Sequence, residues 1–398
     1  MELLKNLYIY EWKKLLQKKI VWITVFISVL ILIVSLLSYF ISPYEGTLEE
    51  RFDAYQLDKE YSMVLDGRKI DHALLSEIKE AYKNIPYTKG IDYTITEEYQ
   101  QYARRYSTIF RIVRGITKLS TSELILSWEP EEDKFYEERR LWMGTNWEDL
   151  KLSSQEKEFW EKKEEQVEKP IVYRHHEAYL ALTNLYQTVG YIVLLVIAIC
   201  LSGLFPEEYM RKTDQIILSS PMGKTMLYRV KIIVGVSFAL LSSLFFSTII
   251  FVGTFLLYGV NGFFAAFQLI AGLFPCSLTC GQAVLIMYGL MVMAAVTSSI
   301  FVMVISEIFC SNIGTLALFT VALMIGMMVE IPRQYRGVSQ LWNWLPWCYI
   351  SPFNVFEGYT ISVFGQNFTS WQALPVIYLL AAVGMALLGK RIYQKGIM

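Results

Sequence analysis

The sequence predicts an all-α polytopic membrane protein: six transmembrane helices, an amphipathic N-terminal interfacial helix and a mainly helical extracellular domain. Three observations lead there. Hydrophobic residues make up 54% of the 398 and charged residues 18%, against roughly 45–50% and about 25% in soluble domains. The apolar residues are gathered into runs, several of which approach the roughly 20 residues that cross a hydrocarbon core of about 30 Å. Lysine and arginine are divided unequally among the short segments between those runs. The formal charge of −1 removes the general attraction to nucleic acid that a basic chain would have. Three histidines and five cysteines suit neither a histidine-built metal centre nor a disulfide scaffold.

The elements follow in order. Residues 1–19 read as a cytoplasmic interfacial helix, because Leu4, Leu7, Tyr8, Trp12 and Leu15 share one face at 100° per residue. Glu11 falls within that face, a costly position unless it is paired. Span 1 is 20–41, a retained anchor, since its apolar run is too long for a signal peptide and no small-residue cleavage site follows it. Residues 43–177 form the extracellular domain and 180–205 span 2. Residues 206–231 are a cytoplasmic coupling region, followed by span 3 at 232–258, span 4 at 283–306 and span 5 at 313–329. Residues 330–372 are an extracellular hairpin, 373–389 span 6 and 390–398 a cytoplasmic tail. The apolar stretch 260–281 reads as either a re-entrant hairpin or a surface helix and leaves five or seven spans as neighbouring counts.

Orientation rests on the positive-inside rule. Residues 1–19, 206–231 and 390–398 together hold thirteen Lys and Arg, whereas the short loops on the other side hold only Arg333 and Arg336. Both termini are therefore expected in the cytoplasm, with the chain in the plasma membrane. Trp342, Trp344, Trp347 and Trp371 then fall before span 6, where amphipathic rings settle at headgroup depth. The insert 43–177 carries 29 acidic and 21 basic residues. A structureless loop of that length is uncommon, and Trp128, Trp142, Trp147 and Trp160 supply apolar mass for a core. Ser153 with Glu156, and Thr94 with Glu97, match capping boxes; the first would open a helix at 158–167.

No catalytic constellation emerges. Gly223-Lys224-Thr225 ends like a phosphate-binding loop, but Leu218 stands where its first glycine belongs and no strand precedes it. No Gly-x-Ser-x-Gly elbow occurs. His72, His175 and His176 all lie in the insert, away from the Glu207-Glu208 pair that a membrane protease would use. His175 and His176 point about 100° apart on a helix and share a metal poorly. Cys276 and Cys280, one turn apart, have poor disulfide geometry, while Cys200, Cys310 and Cys348 read as apolar fillers. The spans hold no ionisable residue at mid-depth, which disfavours a proton-coupled carrier. Neutral polar groups remain. Asn184, Gln187 and Thr188 on one face of span 2, with Ser243 and Ser247 in span 3, are a candidate translocation route, against the plainer reading that they join helices.

The stretch Glu207-Glu208-Tyr209-Met210-Arg211-Lys212-Thr213-Asp214-Gln215-Ile216-Ile217-Leu218-Ser219-Ser220-Pro221-Met222 mixes charges with an apolar centre, as a helix docking into a partner's groove would. It resembles the coupling-helix region of the permease subunits of type-2 ATP-binding-cassette (ABC) transporters. The basic helix before span 1, the segment Leu345-Pro346-Trp347-Cys348-Tyr349-Ile350-Ser351-Pro352-Phe353 before the last span, and six spans with both ends inside are similar to that family as well. The resemblance covers about two-thirds of the chain, the membrane part. It implies an exporter permease that pairs with a second permease chain, identical or different, in the lipid bilayer. A separate ABC ATPase subunit would carry ATP and Mg, with no cofactor bound by this chain. It also implies that Glu207, Glu208, Arg211 and Asp214 dock that ATPase, supported by Glu11. The alternative is a signalling or mechanotransmission protein whose outer domain senses a ligand without moving cargo.

Overall fold

Apolar runs without internal water partners must satisfy their own backbone groups, and helices do so. In the computed structural model, which describes residues 2–83, 85–86, 92–213, 219 and 223–395, they become α2 (Lys19–Ile41), α9 (Glu177–Leu201), α11 (Tyr228–Tyr258), α12 (Cys280–Phe309) and α16 (Ser370–Lys395). These five are long and apolar enough to cross a membrane, α9 continuing through a turn into the short α10 (Pro206–Met210). The expected span 5 is α13 (Asn312–Met328), only 17 residues. At 1.5 Å per residue it reaches about 25 Å, short of the hydrocarbon thickness. It buries a single stripe, Thr315, Phe319 and Leu323. Ser311 caps it, its Oγ accepting from the Gly314 amide at 3.1 Å.

α1 (Glu2–Leu16) precedes the first crossing. The polar insert folds as α3 (Leu48–Val64), α4 (His72–Lys83), α5 (Ser107–Thr117), α6 (Thr121–Leu126), α7 (Glu132–Asp149) and α8 (Ser154–Glu164). Capping boxes open α3 at Thr47/Glu50, α6 at Ser120/Glu123 and α8 at Ser153/Glu156. The one expected at Thr94/Glu97 does not form. There Asp92 accepts from the Thr94 amide at 2.9 Å, the donor that Glu97 would have taken, and caps a single 3₁₀ turn, Tyr93–Ile95. The helix expected at 158–167 begins and ends earlier, at Ser154 and Glu164.

Two compact units emerge: residues 37–181 with 255–285, and residues 1–36, 182–254 and 286–398. The polar unit is thus larger than the insert, because the segment 260–281 belongs to it and is neither a re-entrant hairpin nor a surface helix. It is an irregular loop folded back on itself, the Phe267 amide donating to the Leu278 carbonyl at 2.9 Å and the Cys280 amide to the Ala265 carbonyl at 2.7 Å. Gly272 admits it to the core, since a Cβ there would lie 2.6 Å from Ile116 Cγ1. The core of this unit centres on the apolar face of α5 (Ile109, Phe110, Ile112, Val113 and Ile116), with Phe110 stacked on Tyr82 at 4.0 Å between ring centroids. Trp128, Trp147 and Trp160 are buried; Trp142 stays half-exposed.

In the other unit α9 is central, 78% of its apolar window buried, while α2 and α16 are peripheral at 28% and 22%. Gly190 of α9 lets Ile350 approach: a Cβ at that position would meet the isoleucine Cβ at 2.8 Å. The unit is not wholly helical. Between α14 (Arg336–Asn343), α15 (Pro352–Val355) and α16 lies an antiparallel pair, β1 (Thr360–Val363) and β2 (Gln366–Thr369), in register Thr360 to Thr369 and Val363 to Gln366. Its two-residue turn, Phe364-Gly365, has positive φ at both positions, 51° and 79°, as tight hairpins require.

Candidate functional site

Charges gather where α1 meets α10 and the start of α11. Four carboxylates (Glu11, Glu207, Glu208 and Glu307) meet four cations (Lys14, Lys18, Arg211 and Lys231). Lys231 is fully buried. Its Nζ contacts Glu208 Oε1 at 2.5 Å, donates to the Leu204 carbonyl at 2.6 Å and lies 5.1 Å from the centroid of the Phe205 ring. Glu207 meets Lys18 at 2.9 Å, Lys14 at 3.4 Å and Arg211 at 2.7 Å. Glu307, fully buried at the end of α12, accepts from the Tyr209 hydroxyl at 2.7 Å. Glu11 is 3% exposed. Burial pushes its carboxyl above the usual range, and Lys231 and then Lys14 pull it back.

Aromatic groups close the cluster. Tyr393 near the end of α16 packs on Phe205 and Tyr228, with centroids 5.7 and 5.5 Å away. The Tyr228 hydroxyl donates to the Ala386 carbonyl at 2.7 Å, and Gly389 leaves room for it. α1 packs beside this group through Trp12 on Phe238 at 6.2 Å and a hydrogen bond from Tyr8 to Ser237 at 3.2 Å. One knot of ion pairs and rings therefore ties α1, α10, α11, α12 and α16 together.

The structure brings Glu11, Glu207, Glu208 and Arg211 to one place and turns both acidic members of the 206–211 stretch inward. Glu207 and Glu208 are at most 9% exposed, whereas the Arg211 side chain is 69% exposed. Asp214 lies outside the described residues. Lys231 and Glu307 were not singled out by the sequence: one reads as a basic loop residue, the other as a helix end.

The candidate route residues separate. Gln187 donates to the Tyr191 hydroxyl at 3.3 Å, and both line a cavity of about 550 Å³ with Glu330, Arg333, Trp342 and Glu357. Burial raises the Glu357 carboxyl, opposed by a hydrogen bond from Asn343 at 2.7 Å and by Arg333 at 3.4 Å. Asn184 is exposed and Thr188 half-buried. Ser243 and Ser247 are buried with their hydroxyls bonded back to carbonyls of their own helix, Leu240 at 3.0 Å and Ser243 at 2.7 Å.

In the polar unit Ser62 Oγ lies 2.8 Å from His175 Nδ1 and 2.5 Å from the Tyr173 hydroxyl. Serine and histidine are each 3% exposed and, among the described residues, His175 Nε2 has no hydrogen-bond partner, so none of these supplies the third group that orients a nucleophile's base. Burial holds both His175 and His176 below the ordinary imidazole range, against the nearby Glu177. Unfolded histidines titrate near about 6.5, so stability present above that pH is lost as pH falls below it. Each excluded proton removes about 1.4 kcal/mol per pH unit. Acidification from pH 7.5 to 5.5 is expected to lower the hydrogen-exchange protection factors, with rates corrected for the intrinsic slowing of amide exchange in acid, of peptides from 48–64 and 171–179; equal protection factors at both pH values contradict this.

Among the described residues, five helices long and apolar enough to cross a membrane, in a mainly helical chain, mark a multi-pass membrane protein. Comparison with protein-family models, with curated proteins and with solved structures finds no match to this chain.

Proposed function

We propose that the chain is the permease subunit of an ATP-driven exporter of the type-2 ABC class. It forms the translocation route with a second permease chain and couples to a separate ATPase that carries ATP and Mg. In this reading α13 completes six crossings, both termini and residues 206–231 are cytoplasmic, and the polar unit is outside the plasma membrane. The observation that carries it is the knot at α10. A motor that pulls on the segment between two spans needs that segment fixed to the helices it moves, and Glu207, Glu208 and Lys231 make that attachment. Glu207 and Glu208 therefore act as positioning residues, while Arg211, whose side chain is 69% exposed, offers a contact for the ATPase. The excess of Lys and Arg on the same side supports the orientation. Gln187 on the wall of the 550 Å³ cavity supports a route between α9 and the segment before α16.

Reversing Glu207 and Glu208 to lysine is expected to leave the chain inserted but abolish ATP-dependent export, because six neighbouring cations would then face only two carboxylates, Glu11 and Glu307, around α10. Export assays in inverted vesicles measure this, with a co-purification in mild detergent. A nucleotide-hydrolysing subunit that accompanies the wild-type chain and cross-links to Arg211→Cys supports the reading. Undiminished export by the double variant, or nucleotide hydrolysis by the pure chain alone, overturns it.

A further inference from the structure

Away from the charged knot, an apolar slot of about 330 Å³ opens between α12, the loop after α14 and α16. Phe301, Trp344, Leu345, Trp347, Leu374 and Ile377 are six of the thirteen residues of its wall. The wall is fixed from behind. Trp347 packs between Phe301 and Phe319 at 5.8 and 6.2 Å, and the Tyr378 hydroxyl donates to the Trp344 carbonyl at 2.7 Å. The polar groups around it are turned to the protein: Thr297 donates to the Met293 carbonyl at 3.0 Å, and the Ser298 hydroxyl is buried. What remains facing the opening is hydrocarbon and aromatic ring.

The slot is reached from the side. Leu341 and Ile377 line it and are 68% and 38% exposed. Val376 and Leu380, at 58% and 67%, continue that surface along α16. An apolar face of this kind on a membrane-crossing helix has lipid tails as its solvent, and binding cavities start at about 300 Å³. We propose that this slot holds one hydrocarbon chain of a membrane lipid, wedged between α16 and residues 344–347. A concave space with pre-set walls, lined by the residues that join the last crossing to the loop before it, takes a single flexible chain better than a second rigid helix. The proposal stands whether or not the chain transports cargo.

The test uses the full chain in nanodiscs of phosphatidylcholine containing a phospholipid with a diazirine in its acyl chain, irradiated and mapped by peptide mass spectrometry. Adducts are expected to concentrate on residues 297–301, 344–347 and 374–378, in excess of those on α2, whose exposed Phe26 and Val34 report ordinary lipid contact. Ala381→Trp, at an exposed position of the slot wall, is expected to fill the space and bring those adducts down to the α2 level. Three outcomes overturn the proposal: labelling spread evenly over α2 and α16, slot adducts unchanged in Ala381→Trp, or cross-linking of Ala381→Cys between two copies in place of acyl adducts.

Discussion

Replacing Arg139 by methionine is expected to destabilise the polar unit by about 3–5 kcal/mol, the usual effect of breaking a buried ion pair from one side. The guanidinium is 1% exposed and every arm is engaged: Nε donates to the Gly272 carbonyl at 2.7 Å, Nη2 to the Phe274 carbonyl at 2.9 Å, and Nη1 to Glu164. The methionine fills the aliphatic volume but leaves Glu164 buried without its guanidinium and the Gly272 carbonyl without a donor, while the Phe274 carbonyl keeps only the Gln268 amide at 3.1 Å; unsatisfied buried groups carry their full desolvation penalty. The loop 260–281, held by those carbonyls, should then open. Hydrogen exchange in peptides covering 263–280 is expected to rise sharply with the loss of thermal stability. Lys169→Ala, removing the other cation at Glu164 from a side chain 34% exposed, is expected to change stability by about 1 kcal/mol or less. Arg139→Met with Glu164→Met together should recover part of the loss, as apolar replacement of both partners often does. Unchanged exchange in 263–280 in Arg139→Met contradicts the assignment.

The second large effect is expected at Lys231. Lys231→Met removes the cation bonded to Glu208 and the strongest favourable charge acting on Glu11, leaving both carboxylates buried. A penalty of about 3–5 kcal/mol is expected on the same grounds, seen as low levels of monodisperse protein after detergent extraction. Adding Glu208→Gln should restore a substantial share of that level, because the orphaned charge goes with it. Lys231→Arg is not a mild change, since a forked guanidinium has no room in a site built around one ammonium. Wild-type levels of Lys231→Met, or no recovery in the double variant, contradict the pairing.

These two sites differ in how far they can be read from the residue order. Glu11 is conspicuous because a carboxylate interrupts an apolar face, and the structure shows it buried beside Lys14 and Lys231. Lys231 is inconspicuous: it is one of several cations before a long apolar run, and nothing local distinguishes it from Arg229. Arg139 looks like part of a solvated acidic and basic helix, because its partners at Gly272 and Phe274 are more than 130 residues away. Capping boxes show the same limit within a single turn. Ser153/Glu156 forms as its spacing expects, while Thr94/Glu97 is displaced by Asp92, a neighbour that accepts from the Thr94 amide.

The residue order by itself determined the class of protein. Apolar runs of twenty or more residues have one stable resting place, and their backbone groups, without water, have one easy partner set, so membrane helices follow from composition and length. It also determined that the polar insert folds, since a stretch with that many buried tryptophans can make a core. Only the tertiary structure decided that 260–281 joins that core, that α13 is a turn or more shorter than its neighbours, and that Glu207 and Glu208 face inward to Lys231 and the α1 lysines. The reason is distance along the chain. Hydrophobic periodicity is a local property, but the pairing that makes a buried charge tolerable depends on groups brought together from opposite ends of the sequence.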